Sequence, residues 1–173
     1  MDPGSLAIRC PACPNPGVNL PKDLASVPPN ETYLYRKFIS VDACFWLKRR
    51  NVSSEERDPG LFSGKAYFVP PGPYGEWVAS LPEQNDTSTC PGLAAMDQAE
   101  TKYSKGYAST GMLFCLCSRH KLVQPKGAGD LTKGEKHGCG DYMVMYSQKE
   151  TGSQLERVVI YDIACQWFKN FFS

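Results

Sequence analysis

The chain has 173 residues with 19 Lys and Arg against 18 Asp and Glu, a length and balance that admit one compact domain and exclude a polyelectrolyte tail. Its 42% apolar and 12% aromatic content is enough to fill a core, which excludes a wholly disordered chain. The 15 Gly and 14 Pro make a loop-rich chain and exclude a long helical bundle. No apolar run approaches the roughly 20 residues that span a bilayer. Met1-Asp2-Pro3-Gly4 lacks the basic and apolar regions of a signal peptide, so a soluble intracellular protein with no membrane partner is expected.

In chain order, residues 1–32 carry Pro11, Pro14, Pro16, Pro21, Pro28 and Pro29 and read as an extended arm, because each Pro removes a backbone donor and restricts its predecessor. The domain proper is expected over 33–173. Tyr33 to Leu47 is rich in aromatic and β-branched residues, and its second half reads as a buried strand interrupted by Asp42. Residues 51–91, with Pro59, Pro70, Pro71, Pro73 and Pro82 among many Gly, read as an insertion of loops and short strands. Leu93 to Tyr103 fits a helix. Tyr107 to Cys117 reads as a strand, Ser118-Arg119-His120 as a turn and Lys121 to Gln124 as the hairpin partner. Gly127 to Gly140 reads as a loop or a frayed helix start, Asp141 to Lys149 as a helix, Arg157 to Asp162 as a second apolar strand, and Ala164 to Asn170 as the start of a helix.

Two groups of side chains carry chemistry. Asp42 lies inside one apolar strand and Asp162 ends the other, where an uncompensated charge is costly. Each could simply pair with a neighbour such as Arg36 or Lys48, but acids on adjacent strands are also how hard cations such as Mg²⁺ are held for two-metal phosphoryl transfer. Cys10-Pro11-Ala12-Cys13 is a CxxC knuckle and Cys117-Ser118-Arg119-His120 a CxxH, together four S/N ligands of the kind that close a structural Zn²⁺ site and pin the arm to the domain. Cys115 is an alternative to Cys117 as ligand. Cys44 and Cys165 read as small core residues, and Cys90 and Cys139 stay unassigned. Lys48-Arg49-Arg50 follows the first acid and suits phosphate contacts, or is a solvated surface run. Eight Cys and sequons at Asn30, Asn51 and Asn85 leave a secreted disulfide domain as a third, weaker reading. No nucleophile motif with an orienting third group and no phosphate-cradling Gly-rich loop is present.

The blocks Cys10-Pro-Ala-Cys-Pro-Asn-Pro-Gly-Val-Asn-Leu-Pro21, Val41-Asp-Ala-Cys-Phe-Trp-Leu-Lys-Arg-Arg50, Glu56-Arg-Asp-Pro-Gly60, Ser88-Thr-Cys-Pro-Gly-Leu-Ala-Ala-Met-Asp97, Cys117-Ser-Arg-His120 and Tyr161-Asp-Ile-Ala-Cys-Gln-Trp167 run in order through almost the whole chain. Jointly they resemble the Kyakuja-Dileera-Zisupton (KDZ) transposases of mushroom-forming fungi. The resemblance implies an α/β, RNase H-like mixed sheet with flanking helices, in which the first strand and a later strand carry catalytic acids at the positions of Asp42 and Asp162. It implies Mg²⁺-dependent cleavage and strand transfer of DNA at transposon ends, a nuclear location, and a structural Zn²⁺ on Cys10, Cys13, Cys117 and His120. Self-association is compatible with this, and no small-molecule substrate is expected.

The sequence departs from that pattern in three ways. A third catalytic acid is expected on a helix well beyond the second strand, and the chain has only eleven residues after Asp162. The upstream cysteine-cluster DNA-binding region of longer members is absent. Gly134-Glu-Lys-His-Gly-Cys-Gly-Asp-Tyr142 stands where relatives have an extended Gly-Glu-Arg motif leading into a Met-Asp-Tyr helix. The expectation is therefore a transposase fragment, incomplete at its C-terminus and inactive alone. The alternative from another class is a non-enzymatic, zinc-stabilised DNA-binding or interaction module, in which Asp42 and Asp162 are dispensable.

Overall fold

Ile39 and Val41 are buried while Ser40 is half-buried and Asp42 exposed, the two-residue alternation of a strand with one covered face. That strand, Lys37–Cys44 (β1), lies inside a four-stranded sheet. The computed structural model of the chain describes residues 4–54, 56–60, 64–82, 105–132, 136–149 and 155–170. Its other elements are Arg49–Arg50 (β2), helix Pro71–Ser80 (α1), Tyr107–Ser109 (β3), Gly111–Cys117 (β4), Val123–Leu131 (β5), helix His137–Lys149 (α2), Arg157–Tyr161 (β6) and helix Ala164–Asn170 (α3).

The main sheet has the order β5-β4-β1-β6. β4 runs antiparallel to β1 and to β5, whereas β6 is parallel to β1. A parallel neighbour requires a crossover, and α2 lies on the path from β5 to β6. The chain is thus a mixed α/β fold with a mixed sheet and flanking helices. β2 and β3 form a separate two-stranded ribbon just beyond β1 and β4.

One face of the sheet is closed by helices. Met143 and Val144 of α2 share a core with Ile39, Leu113, Cys115 and Leu131, and all six are fully buried. Full burial of a side chain of this size contributes about 1.5–3 kcal/mol, so this layer is the main source of cohesion. α1 joins it through Tyr74, whose hydroxyl donates to the Asp130 carbonyl and whose ring lies 5.2 Å from that of Tyr142. Past β6, Trp167 packs edge-on against Tyr161 at 5.6 Å, and its indole N–H donates to Asp141 at 2.7 Å.

The structure corrects four expectations from the sequence. The stretch read as a loop from Gly127 begins as strand: β5 continues to Leu131, and its glycines answer close packing rather than a turn. A Cβ on Gly127 would lie 2.9 Å from the carbonyl oxygens of Cys115 and Gln124. The Pro-rich insertion contains α1, because Pro71 and Pro73 fall in the first helical turn, where a backbone N–H has no intrahelical partner to lose. Helix α2 starts at His137 rather than Asp141, and Cys165 is exposed, not a core residue. The expected helix over 93–103 and Cys90 lie outside the described residues.

Candidate metal centre and carboxylate pair

The arm meets the sheet at its β4 end. Cys13 N–H donates to the Cys10 carbonyl at 3.3 Å, closing the knuckle. Asn15 donates through Nδ2 to the carbonyls of both Cys10 and Cys13 at 3.0 Å, and Asn19 donates to the Cys13 carbonyl at 2.9 Å. These two asparagines were not singled out from the sequence, although the signal was present. Asn just after a tight turn readily satisfies nearby backbone groups with its side chain. Opposite them, Cys117 ends β4 and His120 sits on the following turn. That turn is closed by Lys121, in the left-handed region at φ 59°, whose N–H donates to the Cys117 carbonyl at 2.7 Å.

Four side chains converge here from positions more than a hundred residues apart. Cys13 Sγ lies 3.2 Å from Cys117 Sγ, and His120 Nδ1 lies 3.4 Å from Cys10 Sγ and 3.5 Å from Cys117 Sγ. The ligand atoms of Cys10, Cys117 and His120 all fall within 4.8 Å of one another. Tetrahedral zinc with Zn–S near 2.3 Å and Zn–N near 2.0–2.1 Å has edges of about 3.8 Å between sulfurs and about 3.5 Å between sulfur and nitrogen, so the His120 spacings to Cys10 and Cys117 suit such an ion, whereas the 3.2 Å between the Cys13 and Cys117 sulfurs is shorter than a tetrahedral edge and Cys13 lies outside the mutually close set.

The local electrostatics agree. Burial raises the Cys117 thiol, but the Cys13 side chain, the backbone and ring of His120 and the backbone of Arg119 together outweigh it and bring the group to about 7. Cys13 is pushed up by burial. Lys37 is also buried here. Burial lowers it to about 8, while the negative charge available on Cys13 favours its ammonium form. Three thiolates around a dication leave one net negative charge, which an adjoining ammonium can balance. Cys115 lies two residues deeper, in the core beneath α2, with its thiol pushed up to about 12 by burial and outside the sulfur cluster. All seven described cysteines are free, which leaves the disulfide reading without a bridge among the described residues.

Asp42 lies in β1, and Asp162 follows directly after the parallel neighbour β6. The β1–β6 register pairs Val41 with Tyr161, so Asp42 and Asp162 each stand one position past the last paired residues. Both are exposed. Adjacent strands lie about 4.8 Å apart, a spacing at which two carboxylates can share cations. Of the neighbours offered as ion-pair partners, Arg36 binds Glu156 at 2.6 Å and Lys48 lies over the Tyr107 ring at 5.7 Å. In the basic run after β1, Arg49 pairs with Asp130 at 2.7 Å, and Arg50 is exposed on β2.

The family model for the Kyakuja-Dileera-Zisupton transposase matches residues 35–173, which contain both acids, the basic run and the CxxH. The chain belongs to the KDZ transposase family. No curated protein and no solved structure gives a match. The KDZ match begins after the arm, so Cys10 and Cys13 reach the centre from outside the matched region.

Proposed function

We propose that this chain is the acid-bearing part of a KDZ transposase catalytic domain, acting on DNA phosphodiesters at transposon ends, with a structural zinc that clips the arm to the sheet. The observation that supports the reading is the β1–β6 register, whose last pair, Val41 with Tyr161, immediately precedes Asp42 and Asp162. This supports the RNase H-like arrangement that the sequence resemblance implies. Asp42 and Asp162 would hold Mg²⁺. When bound, the cations supply Lewis-acid polarisation of the attacking oxygen and of the scissile phosphate. Lys48, Arg49 and Arg50, close in sequence to Asp42, orient the DNA through its backbone phosphates. Cys10, Cys13, Cys117 and His120 take no part in the reaction and fix the end of β4, next to the strand that carries Asp42. No residue of the sequence is assigned the third acid that the resemblance implies. A nuclear location and self-association on transposon ends follow from the same reading.

Mn²⁺ titration followed by EPR tests it, with zinc content and melting measured in parallel. Binding of Mn²⁺ that disappears in Asp42→Ala and in Asp162→Ala, at unchanged zinc content and stability, is the expected result. Unchanged Mn²⁺ binding in both variants would refute the metal role of the acids and favour a zinc-stabilised DNA-binding module.

A further inference from the structure

Trp46 is 94% exposed, on the bend between β1 and β2, where burial of the largest apolar side chain would ordinarily stabilise the fold. The bend is built, not loose. Leu47 N–H donates to the Cys44 carbonyl at 3.4 Å, Lys48 N–H donates to the Trp46 carbonyl at 3.0 Å, and Phe45 packs into the core beside it. The indole is therefore held outward on an anchored turn, with no share in the chain's own packing.

Its neighbours say what it meets. Asp42 lies four residues before it, a path of at most about 14 Å, and Lys48, Arg49 and Arg50 follow at once. Successive nucleotides of a stacked strand advance by about 3.4 Å, so the ring reaches a base within about four nucleotides of a phosphate seated at the acids. An exposed aromatic interleaved with cations is the chemistry that binds single-stranded nucleic acid, by stacking on a base that is not held in a duplex. Within an intact stack the ring has no face to meet, whereas an unpaired or extruded base offers one.

We infer that Trp46 is a positioning residue that stacks on an unpaired DNA base beside the scissile phosphate, so that the chain prefers frayed or single-strand-tailed ends to blunt duplex. This inference rests on the transposase reading and adds the form of DNA that the site takes.

The zinc-loaded chain is titrated with a labelled blunt duplex and with the same duplex carrying a four-nucleotide tail, and binding is followed by anisotropy. The native protein is expected to bind the tailed DNA about tenfold more tightly. Trp46→Ala should erase that preference and leave duplex affinity within twofold, while Trp46→Phe keeps part of it. As a second readout, the tail should quench indole fluorescence in the native chain and not in Trp46→Phe. Duplex binding with no tail preference, or a preference that survives Trp46→Ala, overturns the inference and leaves the transposase reading standing. No binding of either DNA overturns both. Self-association on sedimentation that is lost in Trp46→Ala would assign the ring to a second copy of the chain and overturn it equally.

Discussion

Removal of the zinc clip should cost this protein a large part of its stability. Cys13 and Cys117 are separated by 104 residues, so an ion that binds both closes a loop of that length. For a covalent cross-link, closing a loop of about 100 residues removes unfolded-state entropy equivalent to about 4.7 kcal/mol at 25 °C, and a metal clip draws on the same entropy. A domain of this size has about 5–15 kcal/mol in total, so the clip alone accounts for a third or more. At about 2–4 °C per kcal/mol for a chain of this length, the double variant Cys10→Ser/Cys13→Ser should melt about 10–20 °C lower. Calorimetry paired with elemental analysis reads both quantities: one zinc per native chain, none in the variant, and the same fall in Tm when the native protein is treated with a chelator. Cys115→Ala should keep its zinc, since that thiol lies in the core beneath α2. A variant that loses its zinc yet melts within 2–3 °C of the native protein, below the fall that the ~4.7 kcal/mol predicts, would refute the reasoning.

Other predictions follow from single residues. Burial raises the Asp141 pKa from its ordinary value of 3.8, against the opposing hydrogen bond from Trp167, so the folded state holds that proton more tightly than the unfolded state does. Stability from this group is therefore fully present below pH 3.8 and declines as pH rises through the raised folded value; Asp141→Asn should flatten the rise seen in urea midpoints as the buffer is acidified below neutral. Gly127→Ala forces a methyl against two backbone oxygens at 2.9 Å and should cost about 1–3 kcal/mol. Gly75→Ala, inside α1 with nothing within 4 Å, should instead stabilise by about 0.5–1 kcal/mol, both read by chemical denaturation. The Arg49–Asp130 pair is largely exposed on the Arg49 side, so Arg49→Ala should change stability by less than about 1 kcal/mol. Any larger loss in DNA affinity in that variant then measures phosphate contact.

The parts of the fold legible in the sequence were those that rest on local patterning. The run from Phe38 to Val41 and the run from Val158 to Tyr161 announce strands by their β-branched and aromatic content, and the Ser118 to His120 turn stands between two apolar segments. Where packing overrode composition, reading failed. Gly127 and Gly129 look like loop residues in sequence but sit in β5, because only hydrogen fits beneath the Cys115 carbonyl and the Met143 side chain. Cys10, Cys13, Cys117 and His120 could be grouped from ligand chemistry alone, whereas the choice of Cys117 over Cys115 depended on how far along β4 the arm lands. That Asp42 and Asp162 each follow the last pair of two adjacent strands depends on strand order, which no local pattern encodes. Asn15 and Asn19 were overlooked because their role is to satisfy carbonyls of the knuckle, a bond visible only once the turn is formed.

The split of the metal centre between the arm and β4 also orders events during synthesis. At about 5–20 residues per second, Cys117 is added about 5–20 s after Cys13, because 104 residues separate them. Throughout that interval the CxxC is half a binding site, two thiols open to oxidation or to capture by another metal. A metal at this centre could bind the arm and Cys117 together only once β4 exists to receive the arm, so it would close the site late rather than nucleate the fold.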